Sequence, residues 1–440
     1  MKTFHNIDYG KQFVLLMAPV TTVSGYGARS RDIATALIKS GKYDVKIFPT
    51  RWGATPQNAL EQDNPDHKEI LGRLLTDQTI PRQPDIFIQI TVPNEFQRVG
   101  KYNIGITAGI ETTVASGEWI EGCNRMDLVL VSSEHAKKVL SESKWIKQDS
   151  NTNQPIGNIE CTTPIQVLFE GVDLSKYFQT KEIHTTIDNQ LSQVKEKFAF
   201  LFVGHWLSGD IGEDRKNIGM LCKVFLETFK NKATHNQPAL ILKTSRADFS
   251  PIDKKEILGK IEAIYKTVKG TNLPNIYVLH GDLSDQEMNS LYNHPKIKAH
   301  ITITKGEGFG RPLAEASLSV KPVIAPNYSG HIDFLKHGVL LPGQLTNVHP
   351  SAAWENVILR ESKWFTVDYR YVGYIMVDVM ENYNNYIINA KKQATLIKKE
   401  YSLDNMAKSL IDLLDQKVPK IVPPKLPQLK KIEFAKPTTV

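Results

Sequence analysis

The chain has 440 residues, 41% hydrophobic and 23% charged, with a formal net charge of +7. That length exceeds one ordinary core and points to two domains of roughly 150–200 residues each. The composition is that of a globular protein, and no run approaches the roughly 18–20 apolar residues that a membrane-spanning helix needs.

The N-terminus, from Met1 to Asp8, is polar and lacks the apolar stretch of a secretory signal. The cysteines Cys123, Cys161 and Cys222 are scattered and odd in number, so neither a disulfide framework nor a Cys-x-x-Cys metal site is indicated. A cytoplasmic location is expected.

Strand-length apolar runs alternate with helix-length amphipathic stretches throughout, the pattern of parallel α/β sheets. In the first half the strands are expected at Phe13–Ala18, Val45–Phe48, Asp85–Ile90, Asn103–Thr107, Leu128–Ser132 and Ile165–Phe169. In the second they fall at Ala199–Val203, Ala239–Lys243, Ile276–His280, Ala299–Thr304 and Pro322–Ala325. Two such series imply two Rossmann-like domains. The polar stretch Ser175–Glu196 reads as the linker, and Gln148–Asn158 as a surface loop. Residues Asp368–Lys417 read as helical, with Ser402 capping a last helix that carries Leu410, Leu413 and Leu414 on one face. The excess of positive charge is densest in a Pro/Lys-rich tail, where six lysines between Lys417 and Val440 face the single Glu433. Such a tail is either simply solvated or a contact arm for an anionic surface or nucleic acid.

Three strand-to-helix connections carry chemistry. Ser24-Gly25-Tyr26-Gly27 follows the first strand, and glycines at a helix start let backbone N–H groups approach an anion. It departs from the dinucleotide fingerprint because Ser30 stands where a third glycine is required. Asp214-Arg215-Lys216-Asn217 puts two adjacent cations before a helix, suited to a pyrophosphate. Lys305-Gly306-Glu307-Gly308-Phe309-Gly310 runs into a helix near Pro312, with Glu315 about one turn inside it. A carboxylate beside a phosphate is poor electrostatics, so Glu307 and Glu315 are expected to address hydroxyls, as on a sugar and a ribose.

The stretch from Gly281 through Glu307-Gly-Phe-Gly-Arg-Pro-Leu-Ala-Glu315 to Gly330 resembles family 4 glycosyltransferases of the GT-B fold. Gly25–Leu37 and Gln166–Asp173 are similar to that family's first loop and to the close of its N-terminal domain. The resemblance implies an acceptor-side domain over 1–190, a donor domain over 191–400 and a helix over 401–417 that crosses back to the first domain; the basic tail read from composition covers 418–440. It implies a retaining enzyme that moves a sugar from a nucleoside diphosphate sugar, UDP- or GDP-linked, to a hydroxyl acceptor on a glycan, lipid, protein or modified DNA.

On that resemblance Glu307 holds sugar hydroxyls, the Gly308, Phe309 and Gly310 backbone lies beside sugar and phosphate, and Glu315 holds the ribose. Arg215 and Lys216 take the pyrophosphate, and Leu283 flanks the base. His205 stands where many members carry Arg, with Arg215 as a substitute. Glu170 stands where many carry His, and Glu111 occupies the acceptor-side region. No Asp-x-Asp triplet occurs, so no metal and no cofactor are expected. The alternatives at this level are transfer to hydroxylated DNA bases, a non-catalytic nucleotide-sugar-binding protein, and phosphorylase or sugar-epimerase activity on the same fold.

Overall fold

A computed structural model describes residues 10–75, 79–80, 82–149, 151–206, 208–246 and 249–420. The N-terminal segment Met1–Asp8 and the basic tail from residue 421 onward lie outside the described residues.

The first domain runs β1 (Gln12–Ala18), α1 (Gly25–Lys39), β2 (Tyr43–Pro49), α2 (Pro65–Leu71), β3 (Ile86–Ile90), β4 (Tyr102–Thr107), α3 (Gly117–Asn124), β5 (Leu128–Val131), α4 (Glu134–Glu142), the hairpin β6 (Trp145–Gln148) and β7 (Pro155–Ile159), and β8 (Ile165–Val167). The second begins with α5 (Thr185–Ser192), β9 (Ala199–Val203), α6 (Ile218–Phe229), β10 (Ala239–Lys243), α7 (Pro251–Thr267), β11 (Ile276–Leu279), α8 (Asp285–Asn293) and β12 (Ile297–Ile301). It continues with α9 (Arg311–Ser317), β13 (Val323–Pro326), β14 (Val339–Leu341), the hairpin β15 (Gly343–Asn347) and β16 (Lys363–Val367), α10 (Tyr369–Glu381), α11 (Tyr383–Glu400) and α12 (Leu403–Lys417).

Each domain is built on a six-stranded parallel sheet, ordered β2-β1-β3-β4-β5-β8 in the first and β11-β10-β9-β12-β13-β14 in the second. Both orders reverse direction beside the first strand, which opens a crevice at the strands' C-terminal ends. The central strands are buried on both faces, as parallel sheets require, so Ile86–Ile90 reads as an unbroken buried run. Serines cap α1, α3, α4, α7, α8 and α12 by accepting a backbone N–H of the first turn, each worth about 1 kcal/mol.

The cores follow the sheets. Val14, Leu16 and Ile88 pack against Ile33 and Leu37 of α1 on one face of the first sheet. On its other face Phe13, Leu15 and Phe87 meet Trp119 and Ile120 of α3. In the second domain Phe200 and Leu242 pack on Phe225, Ile257 and Met376, while Leu201 and Ile241 pack toward Leu291 and Leu313.

Met406, Leu410 and Leu414 of α12 complete the first domain's core, so the last helix does cross back. The two passages of the chain between domains lie side by side. Val172 N donates to Tyr401 O at 2.9 Å and Leu403 N donates to Val172 O at 2.8 Å. A Cβ on Gly171 would stand 2.5 Å from Leu403 Cα, which is why glycine is needed at this crossing.

The structure corrects several sequence expectations. The supposed linker Ser175–Glu196 is packed on the second domain, because Ile187, Leu191 and Val194 recur at helical spacing and bury against Tyr177 and Leu291. The domain boundary therefore falls near Gly171, not at residue 190. The expected loop 148–158 is largely the β6–β7 hairpin. The strand expected at Ala299–Thr304 lies at Ile297–Ile301, and its last residues belong to the crevice loop.

Candidate active site

The switch point of the second sheet lies between β9 and β12, and the connections leaving these two strands carry the charged residues. Lys216 Nζ donates to Glu307 Oε1 at 2.5 Å, and Arg215 Nη1 lies 3.7 Å from Glu307 Oε2. Arg215 Nη1 also donates to the Gly306 carbonyl at 3.0 Å. Burial alone would raise the Glu307 pKa, but the Lys216 and Arg215 cations outweigh it and hold the carboxyl below its ordinary 4.5. Glu307 is thus an oriented carboxylate, with its backbone N–H fixed by Ser329 Oγ at 2.8 Å.

The first domain closes over this loop. Glu111, past the end of β4, pairs with Arg215 at 3.1 Å, and the Ser132 hydroxyl stands between the Ala108 carbonyl at 2.8 Å and the Gly308 carbonyl at 3.1 Å, sharing its one proton between them. A Cβ on Gly306 would meet Glu111 O at 2.4 Å, and one on Gly308 would meet Ala108 O at 2.8 Å. These two glycines therefore permit contact between domains. Gly310 has a different role, since it caps α9 at φ 95°, in the left-handed region.

Arg311, at the start of α9, joins both halves: Nη1 pairs with Asp32 of α1 at 2.8 Å and Nε donates to Glu315 Oε1 at 2.9 Å. Glu315 also accepts from Tyr292 OH at 3.3 Å. Burial pushes the Glu315 carboxyl up to about 7, although Arg311 opposes the shift.

Between the domains lies a cavity of about 210 Å³. Its walls include Gly25, Glu111, Glu170, Glu307, Gly308, Phe309 and Gly310, seven of the residues singled out by sequence. Tyr26, Arg29, Trp52 and Arg311 line it too, without having been assigned a role. Tyr26 stacks on Trp52 with ring centroids 3.8 Å apart and shares a 2.9 Å hydrogen bond with Thr107. That aromatic wall carried no signal in the sequence, because its members lie on separate segments. Burial raises the Glu170 carboxyl pKa, and the Arg29 cation counters it. Arg29 itself is held by the Leu168 and Phe169 carbonyls at 2.6 and 2.8 Å.

The two N-terminal glycines differ. A Cβ on Gly25 would meet nothing within 4 Å, so that backbone is open to the cavity. One on Gly27 would lie 2.2 Å from Thr22 O, so the turn itself demands glycine there. Five other sequence-selected residues stand off the cavity wall. Arg215 and Lys216 sit beyond Glu307, Glu315 beyond Arg311, and His205 against Ser245 Oγ at 3.0 Å. Leu283 packs into the second core at the foot of α8. Among the described residues, no group of three or more His, Cys, Asp or Glu is placed to hold a metal ion. No helix among them is long and apolar enough to cross a membrane.

The two facing domains have the GT-B fold of glycosyltransferases. Sucrose-phosphate synthase from Thermosynechococcus elongatus superposes with a TM-score of 0.61 at 14% identity, over 92% of this chain and 99% of that one. Anabaena HepE in complex with UDP-glucose gives 0.56 at 11% identity, over 92% and 99%. The Escherichia coli trehalose-6-phosphate structure bound with UDP-2-fluoro glucose gives 0.57 at 11% identity, over 94% and 100%. No family profile matches the sequence, and none of the curated proteins searched is similar to it.

Proposed function

We propose that this protein is a retaining glycosyltransferase of family 4 type, which moves a sugar from a nucleoside diphosphate sugar to a hydroxyl acceptor without a metal ion. The observation that carries the reading is the Lys216–Glu307 pair, with Arg215 beside it, at the switch-point crevice of the second sheet. The Glu-x7-Glu spacing of Glu307 and Glu315 supports the family. The UDP-sugars named with two of the superposed structures make UDP-glucose the first donor to test.

In this reading the bond between sugar C1 and the diphosphate oxygen breaks as a bond from C1 to the acceptor oxygen forms on the same face. The acceptor's proton passes to the departing phosphate. Arg215 and Lys216 stabilise the charge that grows on that phosphate, where fixed cations in a dry crevice act most strongly. Glu307 accepts sugar hydroxyls and positions C1, while Glu315, once released from Arg311, accepts from the ribose. Gly25 offers open backbone at the start of α1 to the phosphates. Glu111 and Glu170 face the acceptor side of the cavity.

A ligand site usually offers about 300–1,000 Å³. The cavity of about 210 Å³ is smaller, so donor entry requires the domains to part along the Gly171 and Ser402 crossings. Three free thiols suit a reducing, cytoplasmic setting.

A thermal-shift panel of UDP-, GDP- and ADP-sugars tests the donor half, because a bound donor raises stability by mass action. One nucleotide series should stabilise the wild type. A flat response across all of them would refute the reading.

A further inference from the structure

A second pocket, of about 670 Å³, is lined by Lys305, two residues before the Glu307 of the interdomain cavity. The connection after β9, the β15–β16 hairpin and the start of α10 form its walls. Its volume falls within the range of small-molecule sites. No residue assigned to the donor or acceptor lines it.

Lys305 is only 3% exposed yet lines this pocket. Its ammonium has one long hydrogen bond, to Thr366 Oγ1 at 3.4 Å, and lies 4.6 Å from the Trp364 ring centroid. No carboxylate pairs with it among the described residues. A buried cation with two of its three donors unspent is costly unless an anion meets it. Burial accordingly lowers the Lys305 pKa, with Glu213 and Asp214 only partly restoring it.

The remaining wall is rich in donors. Arg360 makes no hydrogen bond or ion pair with any described residue. Ser351 N donates to His349 Nδ1 at 3.2 Å, and Ser351 Oγ lies 2.8 Å from the same nitrogen. Tyr369 OH accepts from Asn217 Nδ2 at 3.1 Å, so its own proton is free to be donated. Glu213 is the one carboxylate of the lining; an ionised carboxylate only accepts hydrogen bonds, so it suits the hydroxyls of a ligand rather than its phosphate oxygens.

We propose that this pocket is a second ligand site, which takes a phosphomonoester whose phosphate meets Lys305 and Arg360 and whose hydroxylated body meets Glu213. A phosphomonoester carries roughly 1.5–2 negative charges near neutral pH, which matches two cations. The site bears on the catalytic crevice through the backbone: Lys305 N donates to Arg215 O at 2.7 Å, and the Gly306 carbonyl next to it accepts from Arg215 Nη1.

The test is calorimetric titration of the full chain with glucose 6-phosphate, inorganic phosphate and glucose, in the wild type, Arg360→Ala and Lys305→Met. Glucose 6-phosphate should bind with a Kd below about 1 mM, phosphate more weakly, and glucose not at all. Each substitution should weaken glucose 6-phosphate at least about tenfold while leaving UDP affinity within about twofold. If Lys305→Met does not fold, the surface residue Arg360 decides. Absence of binding overturns the proposal, as does unchanged binding in Arg360→Ala, which would place the ligand on the crevice cations instead. Equal affinity for phosphate and glucose 6-phosphate would overturn the role given to Glu213.

Discussion

Glu111 and Arg215 meet across the domain boundary at 3.1 Å, so a carboxylate of the first domain occupies one of the two cations assigned to the donor's phosphates. A phosphate arriving at Arg215 must displace it or share the guanidinium with it. The pair keeps 18% and 23% side-chain exposure, and solvent screening limits such a contact to about 0.5–1 kcal/mol. Glu111→Gln is therefore expected to tighten UDP binding by about two- to fivefold, read by calorimetry. Weaker binding in the variant would mean that Glu111 holds Arg215 ready for the donor.

Glu307→Gln keeps the shape of the side chain and removes the charge that orients Lys216. Turnover should fall by about 100-fold or more, with UDP affinity changed by less than about threefold. Steady-state kinetics beside UDP titration separates the two. Full activity in this variant would remove Glu307 from the mechanism.

Glycine substitutions divide fold from function. Gly27→Ala forces a Cβ to within 2.2 Å of a backbone carbonyl and should destabilise the first domain by about 1–3 kcal/mol in denaturant unfolding. Gly25→Ala meets no atom within 4 Å and should melt like the wild type, yet raise the KM for the donor severalfold by crowding the open backbone. Gly306→Ala collides with the Glu111 backbone and should hold the domains apart, visible as a larger radius of gyration in X-ray scattering.

The pH dependence of stability follows from Glu315. Its carboxyl is pushed up to about 7 in the folded chain, from an ordinary value of 4.5. The folded state then binds more protons than the unfolded state between these values, so stability falls as pH rises from about 4.5 to about 7. Glu315→Gln should flatten this part of a Tm-against-pH curve. An unchanged slope would assign it to other groups.

The sequence carried the two sheets well, since buried parallel strands are continuous apolar runs and need no partner to be recognised. Ala199–Val203 and Ala239–Lys243 are found at the expected residues. The hairpins were less legible. Gly343–Asn347 has one apolar residue, Leu345, and that is exposed, so its strand character comes only from pairing with Lys363–Val367. Segment Ser175–Glu196 looked polar because a helix packing one narrow stripe, Ile187 and Leu191, shows mostly its wet face. In the crevice, residues within one connection were readable as a unit, Glu307 with its glycines above all. Contacts between distant segments were not: Asp32 and Arg311 are 279 positions apart, and no local pattern pairs them.

The central claim is transfer from a nucleoside diphosphate sugar at the Lys216–Glu307 pair, and donor cleavage tests it without knowledge of the acceptor. Nuclear magnetic resonance of the chain with UDP-glucose, then with the other sugars of the thermal-shift panel, reads both release of the diphosphate and the anomer first formed by slow transfer to water. The account predicts release from at least one donor, with the donor's own anomeric configuration in the first product, and loss of both signals in Glu307→Gln. An inverted first product, or equal release by that variant, would contradict it.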